Sequence, residues 1–424
     1  MEKRKIAIIG GGAAGMAAAI EAAKNGAEVT IYEHTDRLGK KILSTGNGKC
    51  NLGNYDLKPE YYYSHCMERV NSCLERFSTG DTIAFFHELG LCVKEKNGYI
   101  YPLAEQAAVV LDVLRFAVEQ YGIRVLYEAK VNRIYKASGG QEKLCIETDT
   151  DRAFYHRVIL ACGSKAASKT GSDGSGFELA KMLGHKIVPV LPSLVQLRCS
   201  DSFCKAIAGI RAEADIHIYA GQKLISKEIG ELQLTDYGIS GIPVFQLSGA
   251  VNRYLYEAEH KKAGGKQTMV PSLVAKINFL PHMDEKTFEQ MIQDRCRACG
   301  GRTHSTVEEF FTGILNKKLM MQFIRLAGLQ PAASAAGVKK EQLRKVFELC
   351  RSFEMHITGS NGFDNAQVCT GGVDVAEVTD QLESVKLKNV YFAGEILDVD
   401  GRCGGYNLQW AWTSGVIAGR AAAK

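Results

Sequence analysis

Ile6 to Ile9 is a short unbroken apolar run behind a basic start. Apolar positions then recur at helical spacing from Ala13 to Lys24, and a second run from Ala27 to Tyr32 ends on Glu33. Those periods predict a strand, a helix and a strand, one βαβ unit. Ile123 to Lys136, Leu144 to Thr150 and Phe154 to Ala161 read as strands of a β-meander, with turns at Ser138-Gly139-Gly140-Gln141 and Asp149-Thr150-Asp151. From about Pro189 the character changes. Alternation through Ala214-Asp215-Ile216-His217-Ile218 predicts short strands up to Leu234, then a helix from Val244 to Lys262 that Ala263-Gly264-Gly265 ends. A β-like stretch from Thr268 to Leu280, interrupted by Pro271, precedes a helical region from Asp284 to Ala327. Thr306 to Leu326 is its clearest amphipathic helix, with Gly313 as the point where it breaks. Near the chain end come a strand, Asn389 to Ala393, a glycine-rich turn and a helix from Leu408. The order implies an α/β nucleotide-binding domain made from both chain ends around an inserted middle.

Composition sharpens this reading. The 424 residues are 46% hydrophobic and 23% charged, an ordinary soluble balance that suggests two or three domains. Glycine is abundant, 43 residues against 8 prolines, and it clusters where backbone must approach a ligand closely. The formal charge of +5 is scattered without a run of five like charges, which argues against a nucleic-acid arm. No apolar run reaches the roughly 18 residues of a membrane span. The segment Met1 to Lys5 is basic, but Ile6 to Ile9 is too short for a signal peptide, so a cytoplasmic protein is expected. The 13 cysteines fit reduced thiols, and Cys296-x-x-Cys299 lacks a second ligand pair, so no metal is expected.

Gly10-Gly11-Gly12-Ala13-Ala14-Gly15 fits G-x-G-x-x-G between a predicted strand and helix, and Glu33 ends the next strand. Gly10 permits the tight turn, Gly12 lets N–H groups reach a pyrophosphate, and Gly15 lets the helix pack on the sheet, while the helix N-terminus faces the anion. Glu33 can accept hydrogen bonds from a ribose, each worth about 1.5–3 kcal/mol. Val158 to Gly163 is a second strand ending in a small-residue turn, at Ala161 and Gly163, where a cofactor approaches. Asn389 to Glu395 repeats that pattern with an acid just past Gly394. In flavoproteins of the two-dinucleotide-binding-motif class an acid there binds the ribityl chain, which points to FAD rather than NAD. Gly404-Gly405-Tyr406-Asn407-Leu408 opens the last helix, whose free N–H groups suit the pyrimidine edge of a flavin.

The runs Gly39 to Asn51, Thr170 to Gly176, Thr370-Gly371-Gly372-Val373, Phe392 to Gly401 and Gly404 to Gln409 closely resemble the BaiN/YhiN-type flavoproteins, over essentially the whole chain. The resemblance implies three parts: a discontinuous Rossmann-like FAD domain (1–189 plus 357–424), an inserted β-barrel-like domain (190–281 plus 330–356) and a nested helical domain (282–329). It implies an NAD(P)H-linked FAD oxidoreductase, with activities in the family that include reduction of 3-oxo-Δ4,6 bile acids and oxidation of aminoacetone. Carried over, it puts FAD against Gly10, Gly12, Ala13, Ala14, Gly15, Glu33 with His34, the run from Lys40 and Lys41 through Gly46 and Asn47 to Asn51, Val131 by its backbone, Gly394, Glu395, Asn407 and Leu408. One departure is visible. Where the family's inserted domain reads Phe-Thr-His before Gly-x-Ser-Gly-Pro, this chain has Leu234-Thr235-Asp236 and Gly238-Ile239-Ser240-Gly241-Ile242-Pro243, which bears on specificity if that His touches substrate.

The expected reaction is NAD(P)H-driven reduction of an apolar small molecule carrying a conjugated carbonyl, with no nucleic-acid partner. FAD carries the hydride step, and the α-carbon proton has three candidate donors, Tyr406, Tyr237 and Cys403, among which the sequence does not choose. An amine oxidase using oxygen would share the same FAD domain, and the sequence does not separate the two. A thiol-disulfide reductase needs C-x-x-x-x-C, whereas Cys50 faces Thr45 at the partner position. A flavin-bearing nucleic-acid binder has only the positive charge in its favour. The oligomeric state is not legible.

Overall fold

A computed structural model describes residues 3–137, 143–260, 272–300 and 305–424, without the side chains of 299 and 300. The turn at Ser138 to Gln141, the stop at Ala263-Gly264-Gly265, the strand start at Thr268 with Pro271, and the Cys299 thiol lie outside the described residues. The chain divides into two compact units, Met1–Ser193 with Phe363–Lys424, and Leu194–Gly362.

The first unit is built on a five-stranded parallel sheet. β1 (Lys5–Ile9), β2 (Glu28–Tyr32), β3 (Arg124–Leu126), β4 (Arg157–Leu160) and β5 (Val390–Phe392) lie in the order β5-β4-β1-β2-β3. Ile6, Ala7 and Ile8 are all buried, which is why their run does not alternate: both faces of the sheet are covered. Two expected strands are each divided between sheets. Arg124–Leu126 joins the parallel sheet while Val131–Lys136 starts a three-stranded antiparallel sheet with Leu144–Thr148 and Arg152–Tyr155. The chain leaves that sheet at His156, whose N–H donates to the Lys5 carbonyl and whose Nδ1 accepts from the Lys5 N–H, and re-enters the parallel sheet as β4.

Helix α1 (Ala13–Lys24) covers one face, and the last helix crosses it. A further helix, α2 (Met67–Arg76), packs on the last helix, α3, which runs Tyr406–Ala423. Small residues make the crossing possible. A Cβ on Gly415 would stand 2.5 Å from the Ala14 carbonyl oxygen, and one on Gly419 would stand 2.4 Å from that of Ala18. Buried Glu21 on α1 receives Arg420 Nε of α3 at 2.8 Å and Lys24 Nζ at 3.1 Å, so the charge it carries inside is paired. Trp410 Nε1 donates to the Gly394 carbonyl and Trp412 Nε1 to that of Leu52, each spending the polar atom of a fully buried ring.

In the second unit, among the described residues, six strands close a barrel. Leu197–Cys199, Gly238–Ser240, Lys223–Thr235, Arg211–Ala220, Leu273–Asn278 and Phe353–Ser360 follow one another around it. Ala214, Ile216 and Ile218 point into the core while Asp215 and His217 are half-buried, as the alternation predicts. The amphipathic stretch from Thr306 forms two helices, Val307–Phe311 and Lys317–Leu326. Gly313 separates them in the left-handed region at φ +89°, and Asn316 caps the second helix by accepting from Lys318 N–H. Phe310, Phe323 and Phe347 of the helices share one hydrophobic cluster with Ile216 and Ile277 of the barrel. Among the described residues no helix is long and apolar enough to cross a membrane.

Two stability outcomes follow from these contacts. Gly415→Val forces a side chain against the Ala14 backbone and should cost about 1–3 kcal/mol in urea unfolding, whereas Gly337→Ala, with open space around it, should be near neutral. His185 is buried with Nδ1 3.1 Å from Glu377 and Nε2 2.7 Å from Ser384 Oγ, and burial lowers its pKa below the ordinary value despite the opposing pull of Glu377. The unfolded chain therefore binds this proton at higher pH than the folded one, so stability should fall as pH drops below roughly 6.5. His185→Gln should flatten that part of the stability–pH curve.

Candidate functional site

The site begins where β1 turns into α1. Gly10 takes φ +103° with its Cα against the Ala161 carbonyl: an added Cβ would be 2.5 Å from that oxygen. A Cβ on Gly15 would be 1.9 Å from the Gly10 carbonyl oxygen, so helix and turn can be in contact only without one. Gly12 differs: a Cβ there meets nothing within 4 Å, and α1 starts at this residue with no side-chain cap. The opening in front of the unpartnered helix start is the natural place for an anion. Gly11, a filler position in the motif, is also crowded: its Cβ would meet the end of the Leu38 side chain at 2.2 Å and Glu33 Oε2 at 3.1 Å.

Glu33 is buried at the end of β2 and accepts from Gly11 N–H at 2.9 Å through Oε2 and from Thr35 N–H at 2.8 Å through Oε1. These bonds fix the carboxylate beside the glycine turn. His34 Nδ1 lies 3.6 Å from Oε1, and Ala129 N–H donates to the Glu33 carbonyl, tying the approach to Val131 into the same corner.

The loop Lys40–Gly48 and its continuation hold left-handed backbone at Gly46, Asn47, Gly48 and Cys50. Thr45 Oγ1 donates to the Ile42 carbonyl. Cys50 is buried, and burial pushes its thiol up to about 12, which suits a packed side chain and not a redox nucleophile. Lys40 pairs with Asp36, and Lys41 Nζ lies 2.6 Å from Glu395 Oε2. Ser164 Oγ, next to Gly163, also donates to Glu395, at 3.3 Å. Sequence reasoning passed over Ser164; its one signal is its place directly after the small-residue turn.

Gly394, at φ +79°, brings the C-terminal strand end onto α1: its Cβ would be 2.7 Å from that of Ala14, and its N–H donates to Ser414 Oγ. Glu395 thus stands by the start of α1. α3 opens at Gly405, φ +95°, again with no side-chain cap, and a Cβ there would be 2.7 Å from Asn51 Oδ1. That oxygen is buried without a hydrogen-bond partner. The Asn407 side chain accepts from Gly401 N–H and donates to the Gly401 carbonyl, both at 2.8 Å, which pins the turn and leaves the helix's first backbone N–H groups outside this clasp. Two uncapped helix starts, two carboxylates and an orphaned buried amide oxygen fit an elongated dinucleotide rich in phosphate and hydroxyl groups.

Of the three candidate proton donors, Tyr406 and Cys403 belong to the first unit and Tyr237 to the second. Tyr406 donates its hydroxyl to the Asp56 carbonyl at 3.2 Å, packs between Tyr61 and Tyr62, and has its phenol pKa pushed up by burial. Cys403 is half-buried in the turn before α3. Tyr237 belongs to the second unit, in the turn between two barrel strands with Arg198 over its ring, beside exposed Asp236.

The sequence profile of the HI0933-like protein Rossmann domain matches residues 4–421. The chain is 41% identical to the 3-dehydro-bile acid delta(4,6)-reductase of Clostridium scindens, over 99% of each chain. It is 28% identical to the ribosomal RNA dihydrouridine synthase of Haemophilus influenzae, over 96% of this chain and 95% of that one. Among solved structures, the 3-ketosteroid-delta4-(5alpha)-dehydrogenase of Rhodococcus jostii matches with a TM-score of 0.48 at 16% identity, covering 100% of this chain and 98% of that one.

The glycine geometry separates folding from binding. Gly12→Ala should leave the unfolding of the flavin-free protein unchanged and weaken FAD binding on the order of tenfold or more, because the methyl enters the open space. Gly15→Ala should lower the stability of the flavin-free protein itself, by about 1–3 kcal/mol.

Proposed function

The chain belongs to the HI0933-like family, and from that premise we propose that it is an FAD-dependent oxidoreductase, a reductase that uses NAD(P)H to saturate a C=C bond conjugated to a ketone. The substrate class is 3-oxo-Δ4,6 bile acids or related steroids. The observation that carries this reading is the 41% identity, end to end, with a reductase of that name, in a chain whose two ends fold into one compact unit.

In this reading the backbone N–H groups of Ala13 to Gly15 hold the pyrophosphate and Glu33 holds the adenosine ribose. Glu395, sharing its charge between Lys41 and the ligand, takes ribityl hydroxyls. Asn407 and Leu408, with the positive end of α3, would hold the flavin's pyrimidine edge through their N–H groups and favour negative charge there. Bound FAD supplies the two-electron carrier between nicotinamide and enone. The protein's remaining tasks are to exclude water, polarise the ketone oxygen and deliver one proton to the α-carbon. Asp236, where relatives of the BaiN/YhiN type carry His, is a position for substrate preference.

A second reading keeps the chemistry and changes the substrate. Uracil also carries a C=C bond conjugated to a carbonyl, and the Haemophilus influenzae relative is named as a ribosomal RNA dihydrouridine synthase. Anaerobic stopped-flow of the yellow holoprotein distinguishes the readings. NADH or NADPH should bleach the flavin, and a 3-oxo-Δ4,6 steroid should restore its colour. Reoxidation by ribosomal RNA with loss of uracil absorbance, and none by steroid, would overturn the substrate assignment. Bleaching by aminoacetone alone, with recovery only in oxygen, would make the protein an amine oxidase.

A further inference from the structure

We propose that His65, oriented by Asp398, is the acid that delivers the proton of this reaction, a role that rests on the reductase reading above. Asp398 is fully buried in the segment that leads from Glu395 to the start of α3. Its Oδ2 accepts the His65 backbone N–H at 3.0 Å and faces His65 Nδ1 at 2.7 Å. Its Oδ1 is buried with no hydrogen-bond partner. A carboxylate so placed is costly unless a cation or a shared proton compensates it, and the ion pair it makes is with His65.

The imidazole itself is 52% exposed. One edge is therefore tied to a buried acid and the other is open. A carboxylate accepting from Nδ1–H fixes the tautomer and leaves Nε2 as the atom that gains and loses a proton. His185 has the opposite arrangement, buried with both nitrogens engaged. His65 is also knitted to the cofactor cradle. Tyr62 and Tyr63 pair antiparallel with Gly401 and Asp400, and Gly401 is clasped by Asn407 at the head of α3. The Tyr62 hydroxyl donates to the Tyr406 carbonyl, and the Tyr63 ring meets the imidazole edge-on.

The step balances. As a hydride equivalent originating in NAD(P)H reaches the β-carbon of the enone, the C=C electron pair becomes an enolate. The Nε2–H bond of the His65 imidazolium breaks, a C–H bond forms at the α-carbon, and the neutral ring takes a proton from water through its exposed edge.

The test divides the reaction into halves. In His65→Gln, bleaching of bound FAD by NAD(P)H should stay within twofold of wild type, while reoxidation by the steroid enone should slow on the order of 100-fold. Added imidazole should restore part of the rate in His65→Ala. Asp398→Asn should slow reoxidation about tenfold. In ¹⁵N NMR it should move the neutral ring from the Nδ1–H toward the Nε2–H tautomer, a readout independent of turnover. Wild-type reoxidation rates in His65→Gln would overturn the role. So would variants that lose FAD and melt early while the fraction retaining FAD turns over normally, which would make the pair a structural strap. A wild-type enzyme that no enone reoxidises removes the reductase reading, and this role with it.

Discussion

The close crossing of α1 and α3 is the contact on which the rest of the first unit depends. Gly415 and Gly419 let the last helix lie directly on the carbonyls of Ala14 and Ala18, so the first and last segments of the chain become neighbours through backbone contact and not through long side chains. With that approach set, Gly394 reaches Ala14, Glu395 reaches Lys41, and the head of α3 reaches Asn51. Paired burial of Glu21 with Arg420 adds an orientation that apolar packing alone does not specify.

The electrostatic plan follows from the same crossing. Both helices begin at glycines without side-chain caps, which leaves orphan N–H groups and the positive ends of two helix dipoles in one unit. Carboxylates stand nearby but are already engaged, Glu33 with backbone N–H groups and Glu395 with Lys41 and Ser164. In the proposed reading the cradle is preorganised: its acids are already held in place, Glu33 by backbone N–H groups and Glu395 by Lys41, and only the Glu395–Lys41 pair would share its charge with a ligand.

Local signals carried most of this architecture. The βαβ unit, the alternation at 214–218 and the start and end of the chain as one domain are legible because each depends on short-range periodicity or on glycines with a single steric use. What escaped depended on distant partners. The runs at 123–136 and 154–161 read as single strands because nothing in their patterns marks the change of sheet, which comes at His156, paired with Lys5, in the second run and at Glu128-Ala129, whose N–H groups donate to the Thr35 and Glu33 carbonyls, in the first. Tyr406 looked like a reactive phenol by its place in a motif, but the Asp56 carbonyl takes its hydroxyl. Asp398 lay inside a recognisable run, yet only the fold shows that it is buried and that its partner is His65.

The central claim is that the two ends of the chain make one FAD site. Equilibrium titration of FAD into the flavin-free protein, into Glu33→Ala and Glu395→Ala, and into the double variant tests it most directly. The account predicts one FAD per chain, weakened by either substitution, with the double variant weaker than both. A binding curve that ignores either residue, or that resolves into two independent sites each sensitive to one of them, would contradict it.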